Sequence, residues 1–260
     1  MNIKNHLLKV KPIKYFAKGR RFYNDPYYLE GQRKSQGEKL KNPSRTEIIN
    51  FLLSLKPNDT CYLEIGVSNP EKNFNHIIAD SKYSVDPGLK FKENPVDFKM
   101  TSDVFFQKLS KNDILSNDIR FDVIFIDGLH LAEQVDRDIE NALKYMKDDG
   151  FIVLHDCNPP TEWHARENYY YYNTPAVGDW NGTSWKAFLK RRFDPSIYSC
   201  CIDSDWGVGI LSKQHKIGNS IDSSNPFFEF SSLDANREKY LNLIDFDTLN
   251  PNYAIGISNA

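Results

Sequence analysis

Four short runs of apolar residues mark the middle of the chain, and segments with a helical pattern separate them. Runs that are apolar at nearly every position are typical of strands buried on both faces. Strands that alternate with helices predict a mostly parallel sheet covered by helices. The four runs are CYLEIGV (61–67), KYSVD (82–86), FDVIFID (121–127) and FIVLHD (151–156).

Helical segments lie before, between and after these runs. Ser44 and Glu47 form a capping-box pattern, and the apolar stripe that follows predicts a helix from Arg45 to Leu55. Between the third and fourth runs, apolar residues from Val135 to Met146 share one helical face, and Gly150 is expected to close that helix. Further helical patterns cover 184–192 and, more weakly, 236–244.

Two later runs, SIYSCCI (196–202) and WGVGILS (206–212), are joined by an Asp-Ser-Asp turn. They predict an antiparallel hairpin at the edge of the sheet. The expected organisation is a basic aromatic N-terminal arm (1–43), an α/β domain (44–216) and a C-terminal extension (217–260). An insertion over 157–185 interrupts the domain, and its seven large aromatic residues without periodicity are typical of a long, ordered, functional loop.

Charge is segregated along the chain, although the formal net charge is only −2. Residues 1–45 contain 12 Lys/Arg and 3 Asp/Glu, a net +9, and residues 46–260 carry a net −11. A basic segment is the usual footprint of a nucleic-acid or membrane partner. The arm contains six aromatic residues, and the rest of the chain is acidic, so we expect the arm to dock on protein instead. We also expect a homo-oligomer formed through the arm. Nucleic acid is disfavoured, because Asn158-Pro159-Pro160-Thr161 lacks the aromatic residue that would stack on a flipped base.

The compartment is predicted from cysteines and apolar segments. The four cysteines form no C-x-x-C pair, and the first residues lack the apolar region of a signal peptide. No window approaches the roughly 20 apolar residues of a membrane span. We therefore expect a cytoplasmic protein without a membrane span.

Candidate chemistry lies where the apolar runs end, because open α/β sheets bind ligands outside the carboxyl ends of their strands. Glu64 and Gly66 end the first run, and Asp86, Asp127 and Asp156 end the next three. The G-x-G-x-x-G pattern of dinucleotide sites is absent, since Gly66 is the only glycine of its turn. A carboxylate here would attract an ammonium or sulfonium, and one on the next strand would accept ribose hydroxyls. S-adenosylmethionine combines these features.

The series LEIGV, VDP, FDVIFIDGLH and DDGFIVLHD over residues 45–213 resembles class I S-adenosylmethionine-dependent methyltransferases. The resemblance is to the branch with macrocin-type sugar O-methyltransferases and cephalosporin-hydroxylase-like proteins. It implies a Rossmann-like three-layer sandwich around a seven-stranded, mostly parallel sheet. Ser68, Asn69 and Pro70 depart from the family's glycine-rich turn, which bears on how tightly the cofactor is held.

The resemblance also implies cofactor contacts. Glu64 and Gly66 would line the methionine side, Asp86 would hold the ribose, and the segment from Met100 to Asp103 would lie near adenine. Core packing of Met100 and an N-cap role for Ser102 are the structural alternatives. The full set of expected cofactor residues is Glu64, Gly66, Ser68, Asp86, Met100, Ser102 and Asp127.

In metal-assisted relatives, acids after the fourth and fifth strands hold a divalent cation, and Asp127 and Asp156 match those positions. Carboxylate oxygens suit Mg²⁺. A third ligand is open between an oxygen of Asn158 and a nitrogen of His155, and the latter would favour Mn²⁺ or Zn²⁺. Strand alternation, however, predicts that His155 points away from Asp156 as a structural histidine.

His130 is the candidate base, because it follows Asp127 by three residues, where related catechol-type enzymes place a basic residue. An imidazole is a suitable base near pH 7, and a neutral histidine that caps the next helix is the alternative. The insertion could form a lid over the acceptor, or its aromatic residues could form a second core or a subunit contact. The candidate lid residues are Trp163, His164, Tyr170 and Trp180.

These features predict an O-methyltransferase that uses S-adenosylmethionine, with or without Mg²⁺ or another divalent cation. The expected acceptor is a hydroxyl of a small molecule, and the resemblance and the aromatic insertion favour a sugar or glycan unit. Catalysis would rest on His130 and Asp127. The alternative is a catalytically inactive protein that keeps the fold for binding or as a scaffold.

Overall fold

The computed structural model describes residues 10–90, 93 and 95–249, and a seven-stranded sheet forms its centre. The strand order is β2-β1-β3-β4-β6-β5-β7, and β6 alone runs antiparallel to its neighbours. The predicted fold class is therefore confirmed, and the C-terminal extension adds β7 outside the hairpin. The strands are β1 (Cys61–Ile65), β2 (Ser81–Val85), β3 (Phe121–Ile126), β4 (Met146–Leu154), β5 (Tyr198–Ile202), β6 (Val208–Ser212) and β7 (Leu243–Ile244).

Eight α-helices occur in the described part of the chain. None of them is both long and apolar enough to cross a membrane. They are α1 (Lys11–Tyr23), α2 (Pro26–Lys39), α3 (Arg45–Ser54), α4 (Ser102–Ser110), α5 (Ala132–Tyr145), α6 (Ser184–Arg191), α7 (Phe230–Ala235) and α8 (Arg237–Leu241).

Helix α3 begins at the predicted capping box. The Glu47 side chain accepts the Ser44 backbone N–H at 2.8 Å, and Ser44 Oγ accepts the Glu47 N–H at 3.4 Å. The predicted end of α5 at Gly150 is wrong, because the helix stops at Tyr145 and β4 continues through Gly150. A Cβ on Gly150 would lie 3.0 Å from the Asp122 carbonyl oxygen, so this glycine serves close strand packing instead of a helix end.

Two apolar layers cover the sheet and make the three-layer sandwich. Leu63 and Ile65 of β1 face a cluster with residues of α4, α5 and α6. Tyr62, the residue before Leu63, faces the other cluster with Ile48 and Leu52 of α3. This alternation along β1 buries both faces of the strand, which is why its sequence is apolar almost throughout.

The N-terminal arm contains two helices, which its lack of periodicity did not predict. Asp25 caps α2 by accepting the Tyr27 N–H at 3.0 Å. Helix α2 packs on the insertion of its own chain, where a Cβ on Gly31 would lie 2.5 Å from Pro175 Cβ. Helix α1 has no buried residue, and Phe16 is 73% exposed. Docking on protein is thus observed for α2, and the homo-oligomer expected through the arm stays a prediction.

Candidate active site

A cavity of about 540 Å³ opens at the carboxyl ends of β1 to β4, within the usual size range of small-ligand sites. It brings together most of the residues that the sequence singled out. Further lining comes from the arm, the insertion and the β5–β6 turn. The predicted residues in its wall are Glu64, Gly66, Ser68, Asp86, Ser102, Asp127, His130, His155, Asp156 and Trp180.

The turn after β1 lies directly on the backbone of the turn after β3. Gly66 has φ +91°, and a Cβ there would lie 2.3 Å from the Asp127 carbonyl oxygen. The Asp127 N–H donates to the Ile65 carbonyl at 2.8 Å and fixes this approach. Both the positive φ and the absence of space require glycine at position 66.

Glu64 is a buried carboxyl group in the cavity wall, with a side chain that accepts two hydrogen bonds at Oε2. Tyr62 Oη donates at 2.7 Å and Asn73 Nδ2 at 2.8 Å. Burial raises the pKa of Glu64 to about 7, although both hydrogen bonds oppose the shift. A cation beside Glu64 would favour its ionised form, which is the electrostatic complement of an ammonium or sulfonium.

Asp86 ties the end of β2 to the turn after β1. Its Oδ2 accepts the Ser68 N–H at 3.1 Å, and its Oδ1 accepts the Gly88 N–H at 2.6 Å. The turn continues into a short 3₁₀ helix, Pro70–Lys72, capped by the Asn69 side chain. This capped 3₁₀ turn occupies the place of the glycine-rich loop found in the resembled family, and Ser68 takes φ +37° within it.

The expected adenine end of the cavity is only partly as predicted. Ser102 lines the cavity, whereas Met100 packs against the apolar core. Ser102 is not the N-cap of α4, because Thr101 Oγ1 accepts the Val104 N–H. The predicted cap is thus wrong by one residue, since the chain turns into the helix at Thr101.

Two polar residues of α5 were missed at this end. Gln134 Nε2 donates to Ser102 Oγ at 3.2 Å and to Asp138 Oδ1 at 3.0 Å. Asp138 is 1% exposed, and burial raises its pKa to about 6. A signal existed, because Asp138 lies between Val135 and Ile139 on the apolar face of the helix, where a carboxylate is unusual.

The His130 ring lies between the carboxylates of Asp127 and Asp156. Its Nε2 lies 3.1 Å from Asp127 Oδ1, and its Nδ1 lies 3.0 Å from Asp156 Oδ2. Burial by itself would lower the pKa of His130, but the charges and hydrogen bonds of Asp156 and Asp127 outweigh it and raise this pKa to about 10. The ring is therefore an imidazolium in this arrangement, and it becomes a base only where another positive charge offsets the two carboxylates.

His155 lies in the same cluster, so its predicted orientation away from Asp156 is wrong. Asp156 has φ +61°, a left-handed conformation that ends the strand alternation. His155 Nδ1 consequently lies 3.3 Å from Asp127 Oδ1 and 3.4 Å from Asp156 Oδ2. Behind the ring, Nε2 lies 3.1 Å from Asp205 Oδ1 and 2.9 Å from Arg45 Nη1.

The cluster has the donor set of a divalent cation site. Ligand atoms of Asp127, His130 and Asp156 all lie within 4.8 Å of one another. Asn181 Nδ2 donates to Asp156 Oδ1 at 2.8 Å and orients that carboxylate, while Asn181 Oδ1 is buried without a hydrogen-bond partner among the described residues. Two carboxylates, imidazole nitrogens and unsatisfied buried polar atoms fit a metal ion at this place.

Asn158, a predicted third ligand, is not brought to this cluster. Its Nδ2 donates to Asp203 Oδ1 at 3.1 Å, and its Oδ1 accepts from Arg237 Nη1 at 2.5 Å. Both functional atoms of the amide are therefore engaged beside the β5–β6 turn. The adjacent backbone explains the placement, because the Asn158 N–H donates to the Trp206 carbonyl at 2.9 Å.

One of the four predicted lid residues lines the cavity. Trp180 stacks on the His130 ring, with ring centroids 5.1 Å apart and planes 13° from parallel. Trp163 and Tyr170 lie outside the cavity wall. His164 is fully buried between Ser35 and Thr161, and burial lowers its pKa to about 4, so its predicted contact with the acceptor is wrong.

Three further residues come from distant segments and were not predicted for the site. Lys39 arrives from α2, Arg45 from the start of α3, and Trp206 from the β5–β6 turn. Trp206 has φ +65°, which is costly for a bulky residue and turns its ring toward the cavity. No pattern within these segments marks the three residues, because only the packing of the segments brings them together.

Residues 50–157 match the family model described as a methyltransferase domain. The matched segment contains Glu64, Asp86, Asp127 and Asp156, the acids that meet at the carboxyl ends of β1 to β4. This match agrees with the resemblance to methyltransferases that the motifs of the sequence indicated. No protein in a search of curated proteins matches the chain.

Several solved structures resemble the chain at low identity. An O-methyltransferase from Bacillus cereus in complex with SAH has a TM-score of 0.40 and 16% identity, and the match covers 72% of this chain and 90% of that one. The O-methyltransferase TomG from Streptomyces achromogenes, in complex with SAM, has a TM-score of 0.40 and 13% identity. The match covers 73% of this chain and 90% of TomG. MycE from the mycinamycin biosynthetic pathway, in complex with Mg, SAH and mycinamycin VI, has a TM-score of 0.43 and 15% identity. The match covers 79% of this chain and 58% of MycE.

Proposed function

We propose that this protein transfers a methyl group from S-adenosylmethionine to a hydroxyl of a small molecule. The observation that carries the proposal is the continuity of one cavity from Asp86 and Glu64 to His130, which is held between two carboxylates. The proposed cofactor end and the proposed proton-accepting end thus share one cavity. The matched methyltransferase domain supports the same conclusion.

The cofactor end is built for a nucleoside that carries positive charge. Asp86 would accept the ribose hydroxyls, and Glu64 would face the ammonium and sulfonium of the methionine part. Gly66 leaves room for the ligand against the backbone. Ser102 and Asp138 would present polar atoms to the adenine ring of the cofactor. Bound S-adenosylmethionine supplies an electrophilic methyl group, and its transfer forms a C–O bond, breaks the C–S bond and releases the hydroxyl proton.

His130 would take that proton. A hydroxyl is a poor nucleophile until a base draws off its proton or a cation lowers its pKa. The stacked Trp180 holds the His130 ring at the cavity wall, where an acceptor can reach it. Asp127 and Asp156 would orient the ring and would hold a divalent cation, whose charge offsets theirs and lowers the pKa of a hydroxyl beside it.

We further propose a sugar or glycan unit as the acceptor. Trp180 and Trp206 line the cavity with aromatic rings, and such rings pack against the apolar faces of sugars. Lys39 and Asp179 form an ion pair of 2.9 Å in the same wall and can exchange hydrogen bonds with hydroxyl groups. A mixture of aromatic faces and charged edges suits an acceptor of this chemistry better than a purely apolar one.

Calorimetric titration of the protein with S-adenosylmethionine, with and without Mg²⁺, tests the proposal. We expect binding in both conditions, and we expect Asp156→Ala to abolish turnover while cofactor affinity remains. Absence of any binding would overturn the enzyme function and favour a binding or scaffold protein. The altered turn at Ser68 is the observation that supports this alternative. Cofactor-dependent turnover that survives in Asp156→Ala would remove that carboxylate from the mechanism.

Cofactor affinity is expected to rise with pH through the titration of Glu64. With a pKa of about 7, this carboxyl group is about 3% ionised at pH 5.5 and about half ionised at pH 7. The ionised form attracts the cationic ligand, so the affinity for S-adenosylmethionine should increase roughly tenfold over this interval. Calorimetry at the two pH values measures the change.

Two variants identify the responsible group. Glu64→Gln should bind weakly at both pH values and lose the pH dependence. Asp138 has a pKa of about 6 and titrates in the same interval, so Asp138→Asn is the matched control and should keep the dependence. A wild-type affinity that stays constant from pH 5.5 to 7 would contradict the role of Glu64.

A further inference from the structure

Helix α1 lies at the surface without burying a side chain. None of its 13 residues is buried, and Phe16 is 73% exposed, Tyr15 64% and Ile13 40%. Single exposed apolar side chains are common, but several on one short helix mark an interaction surface. The helix therefore has an apolar face that no described part of the chain covers.

Two stripes of different chemistry run along α1. Cations at intervals of three and four residues fall on one side of the helix and form the basic stripe. Its members are Lys11, Lys14, Lys18 and Arg21. Ile13, Phe16 and Tyr23 lie on the opposite side and form the apolar stripe. Arg20 lies within the apolar stripe, where its long stem can carry the charge to the edge. The helix is thus amphipathic, with a polar face that is entirely basic.

The positive charge of this segment is not balanced within the described structure. Residues 1–24 contain seven Lys or Arg and no Asp or Glu, and Asp25 is the first acid of the chain. Along the described chain, the first ion pair joins Glu30 to Arg33, so the five cations of α1 lie outside every described ion pair. A partner that carries negative charge would therefore find five cations available on one helix.

Helix α2 fixes the position of α1. Phe22, near the end of α1, packs on Tyr28 of α2 with ring centroids 4.8 Å apart. Gln32 Nε2 of α2 donates to the Pro175 carbonyl oxygen of the insertion at 2.6 Å. The two stripes consequently belong to an anchored pair of helices, and α1 is the outer helix of the pair.

The surface of an anionic bilayer fits these stripes better than a protein or a nucleic acid. Lysine is depleted in protein–protein interfaces, and three of the five cations are lysines. A nucleic acid is bound mainly through its phosphates and would leave Ile13 and Phe16 uncovered. Helices that lie in the membrane interface combine Lys and Arg on one face with large apolar residues on the other, and tyrosine is enriched at that depth. Clusters of about four to eight Lys or Arg on such a helix are typical of binding to anionic lipids.

We propose that α1 attaches the protein to bilayers that contain anionic phospholipids. The helix lies parallel to the bilayer surface, with Ile13, Phe16 and Tyr23 at the boundary between headgroups and acyl chains and the basic stripe among the lipid phosphates. The acidic remainder of the chain does not prevent this attachment, because charges are screened beyond about 8 Å at physiological ionic strength. The attachment is peripheral and reversible, since one short helix buries little apolar area. It does not depend on the proposed methyl transfer.

Co-sedimentation of the full chain with lipid vesicles tests the proposal. We expect the protein to bind vesicles of equal parts phosphatidylcholine and phosphatidylglycerol at least about tenfold more tightly than vesicles of phosphatidylcholine alone. The combined variant Lys14→Glu and Lys18→Glu reverses two charges of the basic stripe. It should weaken binding to the anionic vesicles at least about 100-fold, because each unit of charge near the surface changes the affinity about fivefold.

Two matched controls lie outside the arm. Lys111→Glu with Lys216→Glu makes the same change of charge at exposed lysines and should bind like the wild type. Phe16→Ser removes the most exposed ring of the apolar stripe and should weaken binding about tenfold. Its control is Phe227→Ser, since Phe227 is 80% exposed and belongs to the C-terminal extension.

Several results would overturn the proposal. They are absence of vesicle binding, equal binding to the two kinds of vesicle, and wild-type binding by the variant with Lys14→Glu and Lys18→Glu. Sedimentation velocity that shows a dimer which this variant splits, without any vesicle binding, would assign α1 to a second copy of the chain. Binding of duplex DNA in place of vesicles would assign it to nucleic acid. Unchanged circular dichroism and thermal unfolding verify that each variant is folded, as expected where no residue of α1 is buried.

Discussion

Replacing His130 by alanine is expected to lower turnover about 10²–10⁴-fold, the usual contribution of a general base. Cofactor binding should persist, because His130 contacts Asp127 and Asp156 rather than the cofactor end of the cavity. Steady-state rates with S-adenosylmethionine and calorimetry on the same preparation measure the two effects separately.

His76→Ala is the matched control for this prediction, since His76 is exposed and outside the cavity wall. Wild-type turnover in His130→Ala would refute its role as base. Simultaneous loss of turnover and of cofactor affinity would instead show that His130 holds Asp127 and the neighbouring turn in place.

Gly66→Ala is expected to abolish S-adenosylmethionine binding and to reduce the free energy of unfolding by about 2–3 kcal/mol. The left-handed conformation at φ +91° disfavours any side chain at this position. The added Cβ would also lie 2.3 Å from the Asp127 carbonyl oxygen, so the turns after β1 and β3 would have to separate. This contact joins the proposed cofactor end to the cluster of Asp127, His130 and Asp156. Its loss should therefore impair both cofactor binding and the geometry of the cluster. Urea unfolding and cofactor calorimetry give the two quantities.

Gly37→Ala is the control variant, and it is expected to increase the free energy of unfolding instead of reducing it. Gly37 lies within α2, and a Cβ there would meet nothing within 4 Å. Alanine has the higher helix propensity, so this variant should gain about 0.5–1 kcal/mol and bind the cofactor normally. A Gly66→Ala protein that binds the cofactor with wild-type affinity would show that the two turns can separate without loss.

Much of the site was predictable because its residues end strands. The carboxyl ends of parallel strands meet at one edge of a sheet, so Glu64, Asp86, Asp127 and Asp156 had to lie near one another once the fold class was known. The spacing of His130 from Asp127 likewise predicted its place. The match of residues 50–157 to a methyltransferase domain confirms the class that these motifs indicated.

Other parts were not predictable, and in each a long-range contact overrides a local rule. Strand alternation predicted that His155 points away from Asp156, but the left-handed backbone at Asp156 reverses this. The aromatic residue His164 and its neighbours suggested a lid, but helix α2 covers that face, and His164 bonds Ser35 at 2.7 Å beneath it. Asn158 was a candidate ligand until the β5–β6 turn and Arg237 engaged its amide.

By itself, the sequence determined the α/β class and the strand ends that carry acids. Those properties follow from short-range periodicity and from the geometry of parallel sheets. The tertiary structure placed both His130 and His155 beside Asp127 and Asp156, and it added Lys39, Arg45 and Trp206 to the cavity. These features depend on backbone conformations at single residues and on contacts between segments more than 100 residues apart, such as Arg45 with His155, which no local pattern encodes.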